Sequence, residues 1–345
     1  MSPIYFDTEA VAQLQTFLQE IENQQRKLFI LCDENTHVHC LPVLSKMVSL
    51  PFFVGLTVAA GENSKTIATA SGLWERLLSE NADKDSVLLC LGGGMISDLG
   101  GFSAAVFKRG MDCVFVPTSL MAQVDAAIGG KNALNFGGAK NQIGLFYLPK
   151  AVFLFPQFLQ TLPEREIWSA YAEMLKHGLI ADKDYWNELK NLQSASQITD
   201  IKYIKKSVEI KTAICQQDER EKHIRKKLNF GHTVGHALEA FFLSIDTPLS
   251  HGEAVAMGMV AEARISWQIG LLSEDELAEI TDFLRGKFVF PQVNNTDYQS
   301  IVSLMNADKK RKGNRLNFTL LKEVGVAVVD KQAAERDMYE LKIFN

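Results

Sequence analysis

Ser86-Val87-Leu88-Leu89-Cys90-Leu91-Gly92-Gly93-Gly94-Met95-Ile96-Ser97-Asp98 runs from an unbroken apolar segment through three glycines into a helix-forming stretch. A short apolar run of this kind is the signature of a strand buried on both faces of a parallel sheet. The glycines let the backbone approach a ligand closely. The N-terminus of the helix that follows offers free N–H groups and a positive dipole, a natural seat for a pyrophosphate. The spacing is not Gly-x-Gly-x-x-Gly, and the turn follows the third apolar run rather than the first, so a tight structural turn stands as the alternative to a dinucleotide site.

Working outward, the same alternation repeats. Lys27 to Leu31 is apolar and ends in Cys32-Asp33-Glu34-Asn35; Phe52 to Ala60 ends in Gly61-Glu62-Asn63, and Ser64 is placed to cap a helix running through Leu78. Downstream come Phe115-Val116-Pro117-Thr118-Ser119-Leu120, then Val124-Asp125-Ala126-Ala127-Ile128-Gly129-Gly130-Lys131, then Gly137-Gly138-Ala139-Lys140-Asn141. Strand followed by paired glycine and lysine presents ammonium groups and backbone donors to an oxyanion, which points to a phosphorylated substrate. Glycine turns carrying surface lysines are the bland alternative. The Walker pattern is absent, because no Ser or Thr follows Lys131.

Beyond Leu162-Pro163 the texture changes to long amphipathic segments at 164–180, 198–217, 234–243 and 254–268, with a helix at 298–307 and a two-stranded piece at 316–321 and 324–329. The expectation is an α/β N-terminal domain with a mostly parallel sheet over 1–160 and a mainly α-helical domain over 161–345. No internal repeat or low-complexity tract interrupts either part.

The helical half carries its own signal in Gly231-His232-Thr233-Val234-Gly235-His236-Ala237-Leu238-Glu239, followed by His251-Gly252-Glu253. His232 and His236 stand four apart and share one helix face. Thr233 occupies the place of the general base of His-Glu-x-x-His peptidases, which disfavours that chemistry. Two hydrogen-bonded core histidines would also give this pattern, but His251 nearby and Glu173 in an upstream helix favour a mixed His and carboxylate zinc site.

At 345 residues the chain is long enough for two cores, and an apolar fraction of 47% is ordinary for a globular protein. The N-terminal Met1-Ser-Pro-Ile-Tyr-Phe-Asp7 lacks the features of a signal peptide and no apolar run is long enough to span a bilayer, so a cytoplasmic protein without membrane contact is expected. The five scattered cysteines read as buried thiols rather than disulfides. A net charge of −5 argues against general nucleic-acid binding, and Asp308 beside Lys309-Lys310-Arg311-Lys312 points to a local site rather than a basic patch.

Taken in order, Gly92 to Asp98, Lys108-Arg109-Gly110, Pro117-Thr118, Val124 to Lys131, Lys140-Asn141, Ala172-Glu173-x-x-Lys176, Asp218-Glu219-Arg220-Glu221, Asn229-x-Gly231-His232-x-x-Gly235-His236, His251-Gly252-Glu253-Ala254-Val255 and Asp308-Lys309-Lys310 closely resemble the 3-dehydroquinate synthase family. The resemblance covers nearly the whole chain. It implies a lyase that converts the seven-carbon acid phosphate DAHP to 3-dehydroquinate and phosphate, with NAD and a divalent metal, zinc or alternatively cobalt. The implied course is transient oxidation by NAD, phosphate elimination, re-reduction and intramolecular aldol closure. Glu173, His232 and His251 are the implied metal ligands, and His236 is assigned instead to hydrogen-bonding substrate and managing protons.

By the same resemblance NAD falls to Asp33, Asn35, Glu62, Lys65, Gly93, Gly94, Asp98, Thr118, Ser119, Phe158 and Thr161, with Lys131 and Lys140 nearby. The substrate pocket falls to Arg109, Asp125, Lys131, Lys140, Asn141, Lys176, Lys211, Arg225, Asn229, Lys309 and Lys310. Arg109, Lys131, Lys140 and Asn141 are the candidates for phosphate, and Lys211, Arg225 and Asn229 for carboxylate, with Glu221 orienting one of these cations or serving as an ordinary surface acid. The family also implies a homodimer. Ala170, Ala126-Ala127, Asn132 and Ser119 depart from the family's usual residues, and none removes an assigned ligand or charge. The alternatives are another sugar phosphate cyclase, against which Arg225 and Asn229 speak, a metal-dependent polyol dehydrogenase, and a non-catalytic NAD- or metal-binding protein.

Overall fold

The strands Leu28–Asp33 and Val87–Gly92 are buried at every residue, and their register pairs Leu31 with Cys90 in parallel. They form the middle of the sheet because branched and apolar side chains alternate to both of its faces. A computed structural model describes residues 1–307, 311–312 and 315–334. Two compact units emerge, one made of Met1–Pro163 with Thr199–Ile201, the other of Glu164–Ile198 with Lys202–Asn345.

The first unit runs β1 (Ile4–Phe6), α1 (Asp7–Asn23), β2 (Leu28–Asp33), α2 (Glu34–His39), α3 (Leu41–Met47), β3 (Phe53–Val58), α4 (Ile67–Ser79), β4 (Val87–Gly92), α5 (Gly94–Val106), β5 (Asp112–Pro117), β6 (Lys131–Phe136), β7 (Ala139–Phe146) and β8 (Val152–Leu154). Six strands form one parallel sheet in the order β1-β8-β5-β4-β2-β3. From β2 the chain passes outward to β3, then returns to lay β4 on the other side of β2 and continues away through β5. The order reverses between β2 and β4, so the loops after Asp33 and after Gly92 flank the switch point where open α/β sheets take ligands. This resolves the sequence-level objection that the glycine turn follows a later strand: β4 comes late in the chain but lies centrally in the sheet.

Period two sorts the sheet's side chains. Ile30, Cys32, Leu89, Leu91, Val114, Val116 and Phe153 share a core with Ala10, Leu14, Leu18 and Leu44 of α1 and α3. On the other face α5 lies so close that a Cβ on Gly100 would sit 2.3 Å from Cys90 Sγ, and one on Gly101 would sit 2.9 Å from Phe115 Cζ. All five cysteines are buried free thiols, and burial pushes Cys32 up to about 12 and Cys40 up to about 11.

One local expectation changes: residues Glu62–Ser64 form a 3-10 turn, so Ser64 does not cap the next helix; Thr66, with extended backbone, accepts from Thr69 N–H and does so instead. Lys131 and Lys140 sit in a β-hairpin of β6 and β7. Its turn residues Gly137 and Gly138 have φ of 62° and 77°, the left-handed pair that a two-residue hairpin turn requires.

The second unit contains α6 (Glu164–Ala181), α7 (Lys183–Lys190), α8 (Ala195–Ile198), α9 (Ile201–Gln217), α10 (His232–Ser244), α11 (His251–Gln268), α12 (Glu274–Lys287), α13 (Asn295–Ala307), β9 (Arg311–Lys312), β10 (Arg315–Glu323) and β11 (Val326–Ala334). Val234, Ala237, Leu238, Phe241 and Phe242 follow the 3, 4 spacing of one helix face and pack on Met257, Ala261 and Ile265 of α11, on α13 and on β10. The strands β9, β10 and β11 form an antiparallel sheet with irregular register at Phe318/Leu320 and Leu321/Glu323. No helix among the described residues is long and apolar enough to cross a membrane.

Candidate active site

In the second unit α6 is buried at every residue from Ser169 to Ile180, so the charges it carries there need partners within the core. Glu173 and Lys176, three apart, form an ion pair through Glu173 Oε2. The other carboxylate oxygen, Oε1, stands 3.2 Å from Nε2 of His232 and 3.2 Å from Nε2 of His251. His232 begins α10 and His251 begins α11, so three helices deliver one side chain each.

Close backbone packing makes this convergence feasible. A Cβ on Gly252 would lie 2.1 Å from Ser169 O, and one on Gly258 would lie 1.9 Å from Gly231 O. Bare glycines therefore let α11 press against α6 and against the start of α10. Gly252 N–H also donates to Ser169 Oγ at 2.9 Å, and Ser250 closes a capping box with Glu253.

The outer nitrogens of both imidazoles are held. His232 Nδ1 lies 3.1 Å from Phe230 O, and His251 Nδ1 lies 3.3 Å from Glu239 Oε2. A carbonyl or carboxylate on Nδ1 turns Nε2 toward the ligand position, the usual outer arrangement of a metal-bound histidine. Burial opposes charge on Glu173, but Lys176 and His232 outweigh it and hold the carboxyl well below its ordinary range. Burial also keeps the His232 imidazole below its usual value against the pull of Glu173. His251 is raised to about 10, since hydrogen bonds to Glu173 and Glu239 overcome the effect of its burial.

An ionised carboxylate and imidazole nitrogens aimed at one point suit a divalent cation. The distances fit as well: bonds of about 2.0–2.1 Å in a tetrahedron put ligand atoms about 3.3 Å apart. The three ligand atoms all lie within 4.8 Å of one another. His236 shares the helix face with His232, their rings 5.2 Å apart, but it is exposed and stands outside the converging set.

Lys176, Lys211 and Arg225 are buried cations in this unit. Arg225 lies in the 3-10 turn Ile224–Asn229, where its Nη1 donates to Glu219 O at 2.7 Å. Asp218 organises the approach to that turn by accepting the N–H groups of Lys222, His223 and Arg225. Glu221 accepts from Asn229 Nδ2 at 2.8 Å and so holds that amide in place. The turn is braced by the terminal hairpin, where Thr319 Oγ1 donates to Lys226 O and Lys226 Nζ pairs with Asp330. Lys309 and Lys310 lie outside the described residues.

In the first unit the polar residues gather around Lys65. Its ammonium meets Asp98 Oδ2 at 3.0 Å, Glu62 Oε1 at 2.9 Å and Asn141 Oδ1 at 2.7 Å. Burial pulls Lys65 down, but Asp98 and Glu62 outweigh it and hold the ammonium above its ordinary value. Asn135, which no sequence pattern marks, ties the hairpin to this cluster: it donates to Glu62 Oε1 at 2.9 Å and accepts from Asn141 N–H at 3.0 Å.

Gly93 is the N-cap of α5 and no side chain caps that helix, so its first turn keeps donors for an anion. A Cβ on Gly93 would lie 3.2 Å from Ser119 Oγ, and Thr118 N–H donates to Gly92 O, which places the turn beside the end of β5. Asp33 caps α2 through a capping box with Thr36, and Asn35 is exposed on the same helix. Phe158 is buried and accepts through its carbonyl from Thr161, while Arg109 is exposed with φ of 69° after Lys108 at 48°. Asp125 lies in the π turn Ala122–Ala126, and Lys131, Lys140 and Asn141 are exposed on the hairpin.

Neither Glu239 nor Glu262 received a role from the sequence. Glu239 was visible three residues after His236, and Glu262 was legible only as a lone carboxylate in the apolar run 254–263, because its partners lie far away in the chain.

The first of two family models, described as 3-dehydroquinate synthase N-terminal, matches residues 55–169, and the C-terminal one matches 170–311. A 3-dehydroquinate synthase of Parabacteroides distasonis is 38% identical over 333 residues, 95% of this chain and 93% of that protein. One of Pseudoalteromonas atlantica is 42% identical over 286 residues, 81% of this chain and 80% of that protein. Among solved structures, 2-deoxy-scyllo-inosose synthase complexed with carbaglucose-6-phosphate, NAD+ and Co2+ matches with a TM-score of 0.83 at 24% identity, covering 98% of this chain and 95% of that one. The 2-epi-5-epi-valiolone synthase of Streptomyces hygroscopicus, with NAD+ and Zn2+ bound, gives 0.81 at 21% identity, covering 99% and 95%. These two show the fold. Matched in both halves by the family's models and along most of its length by such relatives, the chain belongs to the 3-dehydroquinate synthase family.

Proposed function

We infer that the chain is a phosphate-eliminating lyase that converts DAHP to 3-dehydroquinate, the second step of the shikimate route to aromatic amino acids. The observation that carries this reading is the convergence of Glu173, His232 and His251 on one point, in a chain whose two halves both match the family. Glu173, His232 and His251 would hold the ion, zinc or alternatively cobalt, consistent with the ions named for the structural relatives. When bound, NAD would take up and return a hydride while the divalent ion makes a ligated substrate hydroxyl more acidic.

The remaining roles belong to side chains. The uncapped start of α5 at Gly93 and Gly94 receives the pyrophosphate, with Asp33, Asn35, Glu62, Lys65, Asp98, Thr118, Ser119, Phe158 and Thr161 around the dinucleotide. Arg109, Lys131 and Lys140 neutralise the phosphate as it departs, and Asn141 donates a hydrogen bond to it. Lys211, Arg225 and Asn229 hold the carboxylate, for which a guanidinium is suited because its donors pair bidentately. Lys176 fixes Glu173 in its ionised form, and Asp125, His236, Lys309 and Lys310 complete the substrate set. The working protein is a cytoplasmic homodimer.

The test incubates the metal-loaded protein with DAHP and catalytic NAD and follows phosphate and 3-dehydroquinate together. Equal yields abolished by a chelator support the reading. Silence on DAHP with turnover of a phosphosugar lacking a carboxylate would reassign the protein to a sister cyclase, and NADH build-up on polyols would reassign it to the dehydrogenases.

A further inference from the structure

We propose that Glu262 is a positioning residue for the metal site, holding the backbone on which His232 is mounted; this rests on the reading of Glu173, His232 and His251 as metal ligands. Glu262 is fully buried on α11, in a run of otherwise apolar or glycine residues from Ala254 to Ala263. Its Oε2 accepts Gly231 N–H at 2.8 Å and its Oε1 accepts Val234 N–H at 3.2 Å. The carboxylate thus grips the chain on both sides of His232 and Thr233. It replaces the missing side-chain cap of α10, whose N-cap is Gly231.

Three observations make this more than a helix cap. Gly231 has φ of 79°, and a Cβ there would lie 2.5 Å from Met259 Cγ and 3.0 Å from Val255 O, so the backbone preceding His232 packs directly against α11. The ring of His232 is oriented through Nδ1 by the carbonyl of Phe230, the neighbour of the Gly231 N–H that Glu262 holds. Any shift of that peptide moves both the ring's anchor and its Nε2. Finally, a fully buried carboxyl is expensive unless hydrogen bonds satisfy it; the N–H groups of Gly231 and Val234 do so here, whereas an apolar residue would serve packing alone.

The experiment compares Glu262→Gln with Ser266→Ala. Ser266 sits one turn further along α11, donates to Glu262 O at 2.8 Å and accepts from Leu321 N–H at 3.0 Å, so its loss weakens the same helix without touching α10. Zn2+ affinity is measured by competition with a chromophoric chelator, the visible spectrum is recorded on Co2+-loaded protein, and Tm is taken metal-free. Glu262→Gln lowers Zn2+ affinity about 10–100-fold and alters the Co2+ bands, as loss of an outer-sphere support does. Ser266→Ala lowers Tm and leaves both metal readouts unchanged. Should Glu262→Gln fail to fold, Glu262→Asp, which keeps the carboxyl but cannot span both N–H groups, shows the same loss of affinity.

Wild-type Zn2+ affinity and Co2+ spectrum in a folded Glu262 variant overturn the proposal, as does an equal loss in Ser266→Ala. A wild-type protein that binds no Zn2+ overturns the metal-site reading itself, and this inference with it.

Discussion

His251 Nδ1 stands 3.3 Å from Glu239 Oε2, so the imidazole that begins α11 is aimed by a carboxylate from α10. This contact leaves Nε2 pointing at Glu173, the orientation a metal ligand needs. Glu239→Ala is therefore expected to weaken Zn2+ binding about 10–100-fold, read by chelator competition, while the helices stay formed by circular dichroism.

The buried pair of Glu173 and Lys176 gives a second prediction. Glu173→Gln leaves the Lys176 ammonium in the core without its carboxylate, and breaking such a pair costs about 3–5 kcal/mol. Denaturant unfolding of the metal-free protein measures this directly. Adding Lys176→Met is expected to restore most of the lost stability while leaving metal binding abolished.

Gly258 tests the close packing that brings the ligands together. A Cβ there would lie 1.9 Å from a backbone oxygen, which cannot swing aside as a side-chain end can. Gly258→Ala is expected to force α10 away from α11, lowering stability by about 1–3 kcal/mol and metal affinity with it. Gly286→Ala, inside α12 with open space around the new Cβ, serves as the control and is expected to leave metal affinity unchanged and raise stability by up to about 1 kcal/mol.

How much of this was legible in the sequence follows from how local each feature is. The run from Val87 through Gly94 declared strand, turn and helix because all of its signals lie side by side, and the helices of the second unit announced themselves by spacing, as in Val234, Ala237, Leu238 and Phe241. The hairpin of β6 and β7 is marked in sequence only by its turn, Gly137-Gly138, because β7 is largely exposed. Sheet order, the link from Asn135 to Glu62 and the grip of Glu262 on Gly231 depend on residues far apart in the chain, and no local pattern encodes them.

Lys65 supplies a prediction for the first unit. Lys65→Met keeps the buried stem and removes the ammonium that meets Asp98, Glu62 and Asn141. Under the proposed function the NAD dissociation constant is expected to rise at least about tenfold, equivalent to about 1.4 kcal/mol, as measured by calorimetry.

Acid sensitivity has a nameable source. Burial opposes charge on Glu276, but it accepts N–H groups from Val324 and Ser273 and ends below its ordinary value; Glu279 is lowered likewise, through Lys190 and Trp186. A carboxyl lower in the folded than in the unfolded chain stabilises fully above the unfolded value of about 4.3, and that contribution is lost as pH falls through the folded value. Glu276→Gln and Glu279→Gln are each expected to lower Tm at pH 7 and to flatten its decline under acid.

The most direct test of the central claim uses NAD at one equivalent per protein chain, with the metal-loaded protein and excess DAHP, and counts product per NAD while watching for NADH. Many molecules of 3-dehydroquinate per NAD, matched by phosphate and with no accumulation of NADH, are expected. An oxidised product that stops at one per NAD, with NADH rising in step and no 3-dehydroquinate formed, is the opposite result and overturns the assignment.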